Sequence, residues 1–269
     1  MNRLTSIIAA TLLMLSTLAY ADTVILDKLP SVSSITIHHG QRAQYFAATS
    51  GGIFVSDDNG VTWADSGKFQ LPATMVSESA DGTVYAFVVT KGLLRLDDRK
   101  NQWRAVNNRF GAQVLTQMLG KSGKADQLIA LNQFGKLVVS ENSGKDWHRM
   151  QGPYKANTES EKRGQSLYIK KCQSCHGIDG VGETYTVKAL TDKNYLRAPA
   201  MNDSEHAWHH TDEALVQTIL DGSPREPRMQ AWKKSGMTED NARDIVAYIK
   251  SLWTQRELDC QGPRHMQCM

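Results

Sequence analysis

Cys172-Gln173-Ser174-Cys175-His176 places two thiols with two residues between them and an imidazole directly after the second. C-x-x-C-H is the attachment pattern for c-type haem. The two sulfurs add to the two porphyrin vinyl groups, the spacing lets both be reached, and the histidine falls under the iron as proximal ligand. The C-x-x-C spacing also serves thiol oxidoreductases and half zinc sites, so the rest of the chain must decide between these chemistries.

Compartment is the first test. Residues 1–21 read as a secretory signal, with Arg3 in a positive start, an apolar run from Ile7 to Leu18 and a small-x-small end at Ala19-Tyr20-Ala21. The run is short for a bilayer span, which needs roughly 20 residues. The expectation is cleavage, a periplasmic location and no membrane span in the remainder. Export suits haem attachment and permits disulfides. Lys and Arg number 31 against 28 Asp and Glu, a net +3. A balance this mild argues against nucleic acid as a partner.

Two grammars follow. Residues 22–150 carry β-branched and alternating runs such as Val84-Tyr85-Ala86-Phe87-Val88-Val89, separated by Gly and Asn/Asp turns. Residues 151–162, QGPYKANTESEK, are polar and read as a linker. Beyond them the periodicity is helical, through residues 163–255, and a tail rich in Cys and Met fills 256–269.

The β half repeats. Gly52-Ile53-Phe54-Val55-Ser56-Asp57-Asp58-Asn59-Gly60-Val61-Thr62-Trp63 is matched by the stretch from Gly135 to Trp147 and more weakly by that from Gly92 to Trp103. A period of about 40 residues suits one four-stranded propeller blade. The pattern resembles the Asp-box of sialidase-type propellers, S-x-D-x-G-x-T-W. The first copy fits it fully; the third has Asn142 and Asp146 in place of Asp and Thr; the second lacks the Ser and the Gly. The resemblance implies an all-β, propeller-like domain of about three Asp-box repeats, in which these residues build turns. Closed propellers typically have about 4–8 blades. Three therefore close by pairing with a second copy, pack on a partner, or form a sandwich instead.

Around the haem motif the chain reads Gly164-Gln165-Ser166-Leu167-Tyr168-Ile169-Lys170-Lys171 before Cys172 and Gly177 after His176. Near the C-terminus, Thr238 caps a helix bearing Ile245, Tyr248, Ile249 and Leu252 on one face. Both segments resemble class I c-type cytochromes, an all-α fold, from about residue 160 to 255. The likeness implies that Gly164 lets the last helix cross the first. It makes Met229, in Pro227-Arg228-Met229-Gln230-Ala231-Trp232, the sixth iron ligand, with Met201 as runner-up. It gives Pro199 the role of holding the proximal imidazole and Trp208 that of a haem propionate contact. One covalent haem c follows, since the motif occurs once.

Cys260 and Cys268 in an exported chain form a disulfide. With His265, Met266 and Met269 they also suit soft copper(I). The reading is a two-domain protein: an exported monohaem electron carrier rather than an enzyme, whose β half docks periplasmic redox partners and provides the surface for a homodimer. Two alternatives stand beside it: an assembly or copper-handling factor, and the catalytic haem subunit of a periplasmic oxidoreductase.

Overall fold

The computed structural model describes residues 23–40, 43–121, 123–150, 152 and 154–268. The expected signal segment, residues 1–21, lies outside the described residues.

Among the described residues the β-branched runs become thirteen strands in three antiparallel sheets. The first holds β1 (Thr23–Ile25), β2 (Val32–His39), β3 (Ala43–Thr49), β4 (Gly52–Ser56) and β5 (Thr62–Asp65), in the order β1-β5-β4-β3-β2. The second is a meander of β6 (Ala73–Glu78), β7 (Val84–Val88), β8 (Gly92–Asp97) and β9 (Gln102–Asn107). The third repeats it with β10 (Leu115–Lys121), β11 (Lys124–Asn132), β12 (Leu137–Ser140) and β13 (His148–Arg149). Strands β4 and β7 are buried at every position, as apolar runs must be when both faces are covered.

The sheets pack face to face in chain order. Phe46, Ile53 and Val55 of the first meet Val76, Ala86 and Leu94 of the second. Tyr85, Phe87 and Leu93 then meet Met118, Leu128 and Val138 of the third. Hydroxyls stitch the seams: Ser34 donates to the Val76 carbonyl at 2.9 Å, and Ser77 to that of Met118 at 2.8 Å.

The repeated turns share one hydrogen-bond pattern. The Thr62 amide and hydroxyl both donate to Asp58, at 2.8 and 2.6 Å, and Ser56 accepts from the Gly60 amide at 2.8 Å. The bonds from Thr62 and Ser56 hold the Asp58 carboxyl down at about 2. In the third copy Asn142 accepts from the Asp146 amide at 2.9 Å and Ser140 from Gly144 at 2.9 Å. Trp63 and Trp147 close these turns by donating to Gly60 and Gly144 carbonyls. Without a turn glycine in the middle copy, Trp103 donates instead to Ser66 of the first sheet, at 3.0 Å.

The helical half holds α1 (Glu159–Lys171), α2 (Gln173–His176), α3 (Val187–Thr191), α4 (Asp212–Asp221), α5 (Glu239–Ser251) and α6 (Gln255–Asp259). Its core joins Tyr168, Leu215, Val216, Ile219, Ile245, Tyr248, Ile249 and Leu252. Among the described residues no helix is long and apolar enough to cross a membrane.

Two expected boundaries move. The linker 151–162 ends sooner, because α1 begins at Glu159. Thr158 accepts from the Glu161 amide at 3.2 Å while the Glu161 carboxylate takes the Thr158 amide at 3.1 Å, a capping box hidden inside a polar stretch. Nor is 256–269 a separate tail. Thr254 caps α6, which straddles the expected break, and Cys260 is buried in the helical core.

Candidate functional site

Helix α1 delivers the thiols. A Cβ at position 164 would overlap the Asp244 carbonyl of α5, so only glycine lets the two helices cross this closely. The Tyr168 and Tyr248 rings meet at 5.2 Å. Arg163 grips Asp244 with two bonds, at 2.7 and 2.9 Å. At the end of α1 a half-buried Cys172 begins the single turn of α2, which presents an exposed Cys175 and then His176.

His176 Nδ1 lies 2.8 Å from the Pro199 carbonyl. A carbonyl can only accept, so Nδ1 carries the proton and Nε2 keeps its lone pair. Burial lowers the imidazole pKa, which favours that neutral form. Burial also pushes the Cys172 thiol up to about 12. A zinc site needs its sulfurs as thiolates, and the surroundings of Cys172 oppose one. Two free thiols and an imidazole held through its far nitrogen are what a covalently held haem requires. The residues fit the group.

Behind His176 the chain doubles back. Gly182 donates to the His176 carbonyl at 2.7 Å, and Met201 to that of Gly180 at 2.7 Å. The segment from 178 to 197 holds α3 and a 3-10 turn at Ile178–Gly180. Met201 is partly buried against the helical core, and its carbonyl accepts the Trp253 indole at 2.9 Å. Met229 is half-buried in the turns after α4.

Glu183 and Arg228 escaped the sequence reading. Arg228 donates to Glu183 at 3.0 Å and to the Tyr195 hydroxyl at 3.0 Å, and Glu183 also accepts from the Ala198 amide at 2.9 Å. This clamp ties the residue before Met229 to the loop carrying Pro199. Hydrogen bonds donated to Glu183 and then to Glu226 raise the Arg228 pKa. Arg228 beside Met229 was visible; its partner 45 positions away left no local signal.

Trp208 lies in the core on the side of the chain end. Its ring stands 4.2 Å from His209 and under Arg256. His209 stacks on His265 at 4.6 Å. Cys260 and Cys268 are joined by a disulfide with Cα atoms 6.0 Å apart, which occupies both sulfurs that the copper reading requires. Among the described residues no group of three or more His, Cys, Asp or Glu could hold a metal ion.

The β half touches this site. The Ala112 amide donates to the Val181 carbonyl at 2.7 Å, next to the Gly182 that holds His176. Gly111 makes the approach possible: its φ is +58° and any Cβ would overlap the Val181 carbonyl. Lys136 pairs at 2.9 Å with a fully buried Glu257 of α6, and Tyr154 donates to Asp203 at 2.9 Å. A cleft of about 510 Å³ lies between the halves, lined by Arg109, Trp147, Arg149, Ile178, Asp179 and Asp203 among others.

Comparison with curated proteins gives no match. Among solved structures, the chain is similar to an ancestral GH74 enzyme at 19% identity and a TM-score of 0.36, covering 44% of this chain and 18% of that one. It is also similar to YCF48 bound to D1 peptide, at 12% identity and 0.35, covering 43% and 39%. The GH74 xyloglucanase from Xanthomonas campestris follows at 16% and 0.34, covering 44% and 21%. The chain thus spans well under half of each of these chains. Residues 159–249 match the family model described as cytochrome c oxidase, cbb3-type, subunit III, so the helical half is a cytochrome c domain and implies haem c.

Proposed function

We propose that this chain is an exported monohaem c-type cytochrome that carries single electrons between periplasmic redox proteins, its β half serving as a docking domain of three Asp-box blades. The observation that carries the reading is the 2.8 Å bond from His176 Nδ1 to the Pro199 carbonyl, beside two free thiols. Haem bound through Cys172 and Cys175 supplies an iron that changes oxidation state by one electron. The chain's own work is positional. Pro199 fixes the imidazole's tautomer and orientation. The Arg228–Glu183 clamp holds the Met229 segment against the proximal loop, and the core of α1, α4 and α5 excludes water. Met229 is the proposed sixth ligand, since Met201 already packs into that core. A thioether there raises the potential.

The test is the Fe–S charge-transfer band in the oxidised visible spectrum. It is expected in the parent and in Met201→Ala, and lost in Met229→Ala. Persistence of the band in Met229→Ala removes Met229 from the site. Absence of haem from the denatured parent chain removes covalent attachment and, with it, the carrier reading.

A further inference from the structure

Carboxylates hold the chain on both sides of Pro199. Glu183 accepts from the Ala198 amide at 2.9 Å, and Glu205 from the Ala200 amide at 2.9 Å. The two bonds are not equivalent. The Ala200 N–H and the Pro199 carbonyl belong to one peptide group, whereas the Ala198 N–H shares its peptide with the Arg197 carbonyl. Glu205 is thus bonded to one end of the peptide whose other end receives the His176 Nδ1 proton at 2.8 Å. A trans peptide points its N–H and C=O in opposite directions, so the carboxylate and the imidazole stand on opposite sides of it.

The surroundings let charge pass along this line. Ala200 is fully buried, and the Glu205 side chain is only 11% exposed. Resonance couples an amide nitrogen to its carbonyl oxygen. A carboxylate that accepts from the N–H therefore makes the oxygen a better acceptor, and bonds in series strengthen one another where water is excluded. Glu205 has one countercharge: Arg197 donates to its other oxygen at 2.7 Å. The same guanidinium reaches the Glu183 and Ala198 carbonyls at 3.2 and 3.4 Å. Burial lowers the His176 pKa, and the Pro199 bond and the charges of Glu183 and Glu205 act against it.

Granted the His176 ligation of the proposed function, we propose that Glu205 is a positioning residue that sets the potential of the carrier. Through the Pro199–Ala200 peptide its charge strengthens the bond to Nδ1 and makes the imidazole a stronger donor to iron. Partners behind a ligating histidine raise its basicity, and such hydrogen bonding is a lever on haem potential. Glu205 then lowers the potential that Met229 raises.

The experiment measures midpoint potentials of the full haem-loaded chain, together with the His176 Nδ1 proton resonance of the reduced protein. Glu205→Gln keeps an oxygen for the Ala200 amide and removes the charge. It is expected to shift the equilibrium about tenfold toward reduced iron, a rise of about 59 mV for one electron. The Nδ1 proton should move to higher field, with the Fe–S band in place. Arg197→Gln removes the countercharge and should move both readings the opposite way. If Glu205→Gln loses the Fe–S band, Arg197→Gln decides by the same two readings. Potentials that shift in the same direction in both variants would mean that the pair merely holds the loop, and overturn the proposal. So does a potential that Glu205→Gln leaves unmoved or lowers. A potential that rises while the Nδ1 resonance stays in place also overturns it, because the charge then acts through space and not through the peptide. A parent without covalent haem removes the ligation itself, whereas a haem-loaded parent with unresponsive variants removes only the role of Glu205.

Discussion

The β half and the haem half hold their backbones by opposite means. In the first, one local device recurs: a serine and an Asp or Asn fold back on turn amides, and a tryptophan caps the result. In the second, each contact occurs once and joins distant segments: Gly164 under Asp244, Pro199 on His176, Arg228 on Glu183. Repetition spreads risk, because losing one turn leaves the others. A set of unique contacts concentrates it, because each fixes something that nothing else fixes.

This contrast can be tested by substitution. Gly164→Val should do most damage, since overpacking a helix crossing costs about 3 kcal/mol. The haem half should melt early while the three sheets keep their own transition. An unchanged melting curve would show that α1 and α5 do not cross this closely.

Lys136→Met attacks the join between the halves and should cost about 2 kcal/mol, because a buried carboxylate loses the nearer of its two cationic partners and keeps only Arg256 at 3.3 Å. Acid should do the same to the parent. Burial pushes Glu257 up, but bonds from Thr254 and Lys136 outweigh it and hold the carboxyl below its ordinary value. A depressed folded value means the stabilisation is present above the unfolded pKa, about 4.3, and is lost as pH falls through the folded one. Denaturant midpoints measured from pH 7 to pH 3 should fall in the parent, and fall less in Lys136→Met. Parallel curves for the two proteins would place the acid sensitivity elsewhere.

The smallest effect belongs to the repeated turns. Ser56→Ala and Ser140→Ala should each cost about 1 kcal/mol, the net value of a side-chain hydrogen bond, and leave the haem spectrum untouched. A spectral change in either variant would mean that the turns report to the haem half after all.

What could be read from the sequence follows the same division. The strand runs, the turn residues, C-x-x-C-H and the α5 face announce themselves because each is encoded within a few positions. Thr238 caps α5 as its spacing foretold. The start of α1 is hidden because its capping box lies among polar residues with no apolar stripe beside them. The Arg228–Glu183 clamp and the Lys136–Glu257 pair were invisible for a different reason. Their partners stand 45 and 121 positions apart, and a single sequence carries no mark of such a meeting. The order in which sheets face one another was likewise out of reach, although the repeat itself was plain.

The Ala112–Val181 bond bears on how the molecule can be dissected. A fragment starting at the capping box of α1 would contain every residue expected to touch haem. It would also release the Val181 carbonyl from its donor, remove Lys136 from Glu257 and uncover the wall of the cleft beside Ile178. The haem half is therefore not a portable cassette. Grafted onto another carrier, it would need a replacement for the third sheet before its proximal loop sat where it does here.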